Sequence, residues 1–203
     1  MIPLILSYDV GSLPFEGDFQ RFTEGAYLIE SLVPLLYSPD HPSRESARYF
    51  EEKVLQGLVD KVNAGIDVAN FPQFRDMNTM LLDSVAGLEK TDAGYVETGR
   101  LTCKPDETRI PEVGVIRRNS KRLYEEVGRP LQIKICVTGP CTLSSLFAHR
   151  DMEIFRRLGD IVSILVANSV FREKYCSVTL VGVDEPTFGL LSDPLVDKGS
   201  EGR

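Results

Sequence analysis

The 203-residue chain has no C-x-x-C pair among its four cysteines, only two histidines, no apolar run long enough to cross a bilayer, and no excess of basic charge. Each shortage excludes something. Cys103, Cys136, Cys141 and Cys176 read as reduced core thiols of a cytosolic (cytoplasmic) protein, because a chain of this length has no need of disulfide staples. His41 lies in a Ser-Pro-Asp-His-Pro turn and His149 at a helix start, neither at metal-ligand spacing from a cysteine. Cys136 and Cys141 stand five apart across a strand end, where cysteine packs as a small apolar residue. No metal site is therefore expected within this chain. The apolar start, Met1 to Leu6, lacks a basic leader and meets Asp9 too early for a signal peptide or a membrane span, so it reads as a buried first strand. A net charge of −7 and a pI near 5.0 exclude the clustered Lys and Arg that nucleic acid or anionic lipid requires. The basic runs Arg117-Arg118, Lys121-Arg122 and Arg156-Arg157 sit in Glu-rich helical patterns and read as solvated faces. Fixed-period repeats, low-complexity tracts and long heptad runs are also missing.

What is present is an ordinary globular composition, 42% apolar and 26% charged, enough to bury a sizeable core. Apolar runs of strand length alternate with stretches of helical period, the pattern of parallel βα units. The strands are expected over 2–7, 65–71, 131–138 and 177–183, each continuously apolar as in sheets covered on both faces. Phe50, Val54, Leu58 and Val62 recur at steps of four between the start signal Pro42-Ser43 and the stop Asn63-Ala64-Gly65, which predicts an amphipathic helix. Further helices are expected over 74–88, 115–127 and 151–174, the last with Phe155, Leu158, Val162, Leu165 and Val166 on one face. The segment 94–111, rich in Gly, Thr and Pro, predicts a hairpin or excursion. The expected fold is α/β: a TIM-type (β/α) barrel of parallel strands, incomplete at about four βα units, in one partial domain over 1–203. A full barrel takes about 250 residues. Half a barrel has open strand edges, which predicts either a homodimer through the open side or a longer polypeptide.

In parallel α/β folds the working residues gather at the C-terminal ends of the strands. Four segments fall there: Gly11-Ser12-Leu13-Pro14, Pro72 to Met77, Thr138 to Leu143, and Asp184-Glu185-Pro186. Singly, each has a plain structural reading as a turn, a loop punctuation or a cap. In this order, on consecutive strand ends, they form a set.

That set resembles the catalytic barrel of the cobalamin-independent methionine synthase family, in the superfamily that also holds uroporphyrinogen decarboxylase. Gly11 to Pro14 are similar to the family's Gly-Ser-Phe-Pro turn. Gly65-Ile66-Asp67-Val68 and Arg75-Asp76-Met77 are similar to the flanks of its second strand end, Val137 to Thr142 to its Leu-Thr-Gly-Pro-Val-Thr segment, and Val183 to Pro186 to its Ile-Asp-Glu-Pro segment. The Asp-Glu-Pro segment favours the synthase branch over the decarboxylase, which would also need a basic pocket where the loops here offer only Arg75.

The resemblance implies a methyltransferase that passes a methyl group to the sulfur of homocysteine in methionine synthesis, with a corrinoid protein as a candidate methyl donor. The substrate-binding residues it implies are Gly11, Ser12, Gln73, Asp184 and Glu185. The backbone at Gly11 and Ser12 suits a carboxylate, and Asp184 suits the ammonium. Gln73 stands where the family has Glu and brings no charge. The family's zinc ligands, a His-x-Cys pair, a Glu and a distant Cys, follow Asp-Glu-Pro, so zinc is expected in the complete family enzyme and not in this chain. The alternatives are another thiol methyltransferase or decarboxylase-like member of the superfamily, and a non-catalytic binding half-barrel.

Overall fold

A computed structural model of the chain describes residues 6–30, 42–104 and 108–188. In chain order its elements are α1 (Phe19–Glu30), α2 (Pro42–Asn63), β1 (Val68–Asn70), α3 (Met77–Leu82), β2 (Ala86–Thr91), β3 (Gly94–Thr102), α4 (Pro111–Arg118), α5 (Ser120–Val127), β4 (Leu131–Thr138), α6 (Pro140–Ser144), α7 (Met152–Ser169) and β5 (Cys176–Asp184). They divide into two compact units. The first comprises Met1–Arg75, Arg109–Cys136 and Asn168–Gly182; the second comprises Asp76–Thr108, Val137–Ala167 and Val183–Arg203.

The class is mixed α/β. One sheet has three strands in the order β1-β4-β5, and a second is the antiparallel pair β2-β3. β1 runs parallel to β4, with Val68 opposite Gln132 and Asn70 opposite Lys134. β4 is continuously buried except at Gln132, as its apolar run requires. The described residues form no closed barrel. Of the expected first strand only Leu6 and Ser7 are described, and neither lies in a strand; Tyr8 makes a parallel bridge to Val68, and Val68 N donates to Ser7 O at 3.0 Å.

α2 matches its predicted span, and Phe50, Val54, Leu58 and Val62 are all buried. α1 has no counterpart among the expected helices. Asp18 caps it by accepting from Arg21 N at 3.0 Å, and Phe22 packs between the rings of Phe15, Phe50 and Phe74 at centroid distances of 4.9, 4.7 and 5.4 Å. Aromatic contacts of this kind fix the α1–α2 pairing beyond plain burial.

Three helical expectations need correction. The span 74–88 is helical only over α3, because Asp76 caps it late, accepting from Thr79 N at 2.8 Å. Residues 86–91 instead form β2, paired with β3 through a two-residue turn at Asp92-Ala93 in which Thr91 Oγ1 donates to Gly94 O. Long-range strand pairing here overrides helical period. The hairpin expected from residue 94 thus begins at 86. The span 115–127 starts at Pro111 and breaks at Asn119, whose φ of −101° and ψ of 14° leave the helix, with its Nδ2 donating to Val115 O; such local side-chain bonds compete with the helix ladder. The span 151–174 ends at Ser169, and its buried stripe is Ile154, Leu158, Ile161, Val162 and Leu165, with Phe155 and Val166 at its margin.

Within the first unit a buried ion pair joins the residues after β1 to α4. Arg75 Nε and NH2 donate to the two carboxylate oxygens of Glu112 at 2.9 and 3.1 Å, with side-chain exposures of 10% and 2%. Removing one partner leaves a buried charge uncompensated. Arg75→Met is expected to lower unfolding stability by about 3–5 kcal/mol in urea titrations, and Arg75→Met with Glu112→Leu to recover most of that loss. A double variant no more stable than the single one would reject this account.

Candidate functional site

The first unit holds Gly11, Ser12 and Gln73 side by side. Gln73 N donates to Gly11 O at 3.0 Å and Leu13 N to Gln73 O at 3.3 Å, so Ser12 bridges Gln73 in parallel fashion. Gly11 has φ of +124°, and a Cβ there would collide with the side chains of Asn70 and Gln73. Glycine is thus required twice, by conformation and by space. Among the described residues the N–H groups of Gly11 and Ser12 have no acceptor.

Gln73 is 8% exposed, and its Nε2 donates to Cys136 O at 2.8 Å. An ionised Glu has no proton to donate to that carbonyl. This gives the glutamine a structural reason: its amide ties the turn to β4.

Beneath the turn lies a cluster that sequence reasoning missed. Asp9 Oδ1 accepts from Asn70 N, and Asp9 Oδ2 accepts from Lys61 Nζ, both at 2.6 Å. Lys61 Nζ also donates to Gly11 O at 2.7 Å and Asn70 O at 3.1 Å. Burial pushes the Lys61 pKa below its usual value even though Asp9 acts to raise it, and the nearby Lys134 charge lowers it further. The signals were present: Lys61 falls on the apolar stripe of α2, and Lys134 interrupts the apolar run of β4.

In the second unit the two adjacent acids have different fates. Glu185 accepts from Cys141 N at 2.9 Å and Thr142 N at 2.7 Å, capping the first turn of α6, where Pro140 occupies a position that needs no N–H. A Cβ on Gly139 would overlap the Glu185 side chain, so the Gly-Pro pair is explained by this cap. Asp184 is exposed; its backbone oxygen accepts from Gly139 N at 2.9 Å, and its carboxylate makes no hydrogen bond or ion pair among the described residues. Asp184 and Glu185 belong to the second unit, and Gly11, Ser12 and Gln73 to the first.

Among the described residues no three His, Cys, Asp or Glu side chains are grouped to hold a metal ion. His41 lies outside the described residues. Cys136, Cys141 and Cys176 are buried and Cys103 is partly exposed. Burial, helped by Glu173, pushes the Cys176 thiol up to about 12. A 480 Å³ cleft lies at the N-terminal ends of β4 and β5, lined by Leu131, Gln132, Arg172, Lys174 and Cys176 among others, at the strand ends opposite the turn at Gly11. Among the described residues no helix is long and apolar enough to cross a membrane. No family model matches the chain, and a search of curated proteins finds no significant match.

The cap and the buried thiol can each be tested. Glu185→Ala should cost about 1.5–3 kcal/mol in thermal or urea unfolding, the range for bonds to a charged acceptor, and an unchanged stability would remove its capping role. In native protein at pH 8, iodoacetamide should modify Cys103 well before Cys176, because thiolate is the reactive form and Cys176 titrates only near pH 12. Peptide mapping that found Cys176 modified first would contradict its burial.

Proposed function

We propose that this chain provides the amino-acid-binding part of a (β/α)-barrel methyltransferase of the methionine synthase type, acting on homocysteine or a related thiol amino acid. The observation that carries the reading is the division of labour between the two acids after β5. Glu185 is engaged by two backbone N–H groups, whereas the neighbouring Asp184 carboxylate is uncommitted among the described residues. An uncommitted acid at a strand end suits a substrate ammonium through a charge-assisted bond; within the first unit, the N–H groups of Gly11 and Ser12, without acceptors among the described residues, suit a carboxylate. Gln73 serves as the clasp between turn and strand. The decarboxylase alternative loses support because Arg75, the one loop cation it could draw on, is tied to Glu112.

Methyl transfer to sulfur needs a thiolate, and a free thiol near its reference pKa of about 8.5 is mostly protonated at neutral pH. Nothing at Gly11 to Pro14 or at Asp184 would lower that value. In this reading the zinc that activates the thiol is held by residues other than those described, and a methylated corrinoid protein is the candidate donor.

The test is calorimetric titration of L-homocysteine. Saturable binding is expected, weakened by about 1.5–3 kcal/mol in Asp184→Asn, with no turnover and no stoichiometric zinc in the 203-residue chain. Unchanged affinity in Asp184→Asn would reject its role. One tightly held zinc per chain, or methylation by this chain alone, would overturn the assignment of thiol activation elsewhere. Binding with no activity in any longer polypeptide would favour a non-catalytic binding protein.

A further inference from the structure

A buried charge without a counter-ion among the described residues of the first unit is Lys134. It is 8% exposed in the middle of β4, and an ammonium carries three donors. Among the described residues one acceptor is present, the backbone oxygen of Asp9 at 3.1 Å. The Tyr8 ring lies over the group at 4.7 Å, a favourable contact that leaves the remaining donors unmet. The nearest carboxylate, Asp9, is engaged on one oxygen by Lys61 and on the other by Asn70 N.

Among the described residues the one carboxylate is thus taken by Lys61, and Lys134 leaves this buried cluster net positive in a chain of charge −7. An unpaired buried ammonium is costly unless something compensates it. Gly182 on β5 packs closely against the Lys134 stem, where a Cβ would come within 3.3 Å of Cε and 3.8 Å of Nζ, so no side chain on β5 at this position supplies a counter-charge. Tyr8, whose ring lies over the group, is itself 63% exposed.

We propose that Lys134 is the cationic anchor of a carboxylate-binding site on the first unit, taking the carboxylate of a small organic acid. The carboxylate supplies the missing counter-charge and accepts the two donors that the protein leaves unmet. Anchoring of Nζ on Asp9 O, two residues before Gly11, holds the ammonium in place without neutralising it. Only the identity of the whole ligand rests on the homocysteine reading above; the site itself stands on the geometry around Lys134.

The experiment is titration of the full chain with acetate, propionate and L-homocysteine at fixed ionic strength, with chloride as the control anion, read by calorimetry and thermal shift. Saturable binding of the carboxylates is expected for the wild type, reduced about tenfold or more in Lys134→Met and largely retained in Lys134→Arg. The ligand-free Lys134→Met protein should melt no lower than wild type, because the substitution replaces an uncompensated buried charge with an apolar side chain of similar shape. No saturable carboxylate binding by the wild type would overturn the proposal, whatever the variants do. So would equal affinity in Lys134→Met, or a ligand-free Lys134→Met that melts well below wild type, which would mark the lysine as purely structural. If acetate and propionate bind through Lys134 while homocysteine does not bind at all, the anion site stands and the homocysteine reading falls. If homocysteine binding is sensitive to Asp184→Asn and indifferent to Lys134→Met, and acetate and propionate do not bind, the homocysteine reading stands and the anion site falls.

Discussion

The turn at Gly11 depends on one buried ion pair. The Asp9 carboxylate clamps the start of the chain to the end of β1 through Asn70 N and to α2 through Lys61. Lys61 in turn reaches Gly11 O and Asn70 O, so one ammonium organises three separate chain segments. Its side chain is 3% exposed, where desolvation opposes the charged form; the bonds to three oxygens offset that cost. This pair fixes the backbone at Gly11, which must take a positive φ and lie against Asn70 and Gln73. Any chemistry at the turn inherits its geometry from a bond that touches no ligand.

The same pairing governs the other ionised groups near the strand ends. Arg75 is held by Glu112 and Glu185 by the first turn of α6. These groups build the scaffold and are unavailable to a ligand. Among the described residues, Asp184 is an acid without a partner in the second unit, and Lys134 is a buried cation without a counter-ion in the first. The contrast between satisfied and unsatisfied charges separates binding candidates from structural ones more sharply than position along a strand does.

The sequence made the sheet legible where one period dominated. β4 and β5 lie within a residue of expectation because their largely apolar runs are flanked by turn residues, and α2 was legible from a stripe repeating every fourth position. The hairpin at 86–102 was half legible, because Ala86 to Thr91 has no strand period of its own and takes its conformation from pairing with β3. α1 was hidden although Asp18 and the spacing of Phe19 and Phe22 were visible, since its stability comes from rings contributed by residues 50 and 74. At the site, Gly11 and Gln73 were legible as residues of interest, and the tie from Gln73 to Cys136 was not, because a side-chain bond across 63 residues leaves no local mark. Lys61 and Lys134 were legible only as misfits on apolar faces.

A net charge of −7 disfavours an anionic ligand at long range, yet that long-range effect is weak. At physiological ionic strength the Debye length is about 8 Å, so the acidic surface is largely screened from a group buried beneath Tyr8. What acts on an approaching carboxylate is the local set of charges: Lys61 and Lys134 against one Asp9, in surroundings where a charge counts for more than it does in water. Backbone N–H groups alone, as at Gly11 and Ser12, can orient a carboxylate but carry no net charge to draw it out of solvent. A desolvated lysine nearby supplies that pull, and because its own counter-ion is missing, the pull is not already neutralised within the protein. Selection for an anion by an acidic protein is therefore a matter of which few charges are left unpaired once folding has paired the rest.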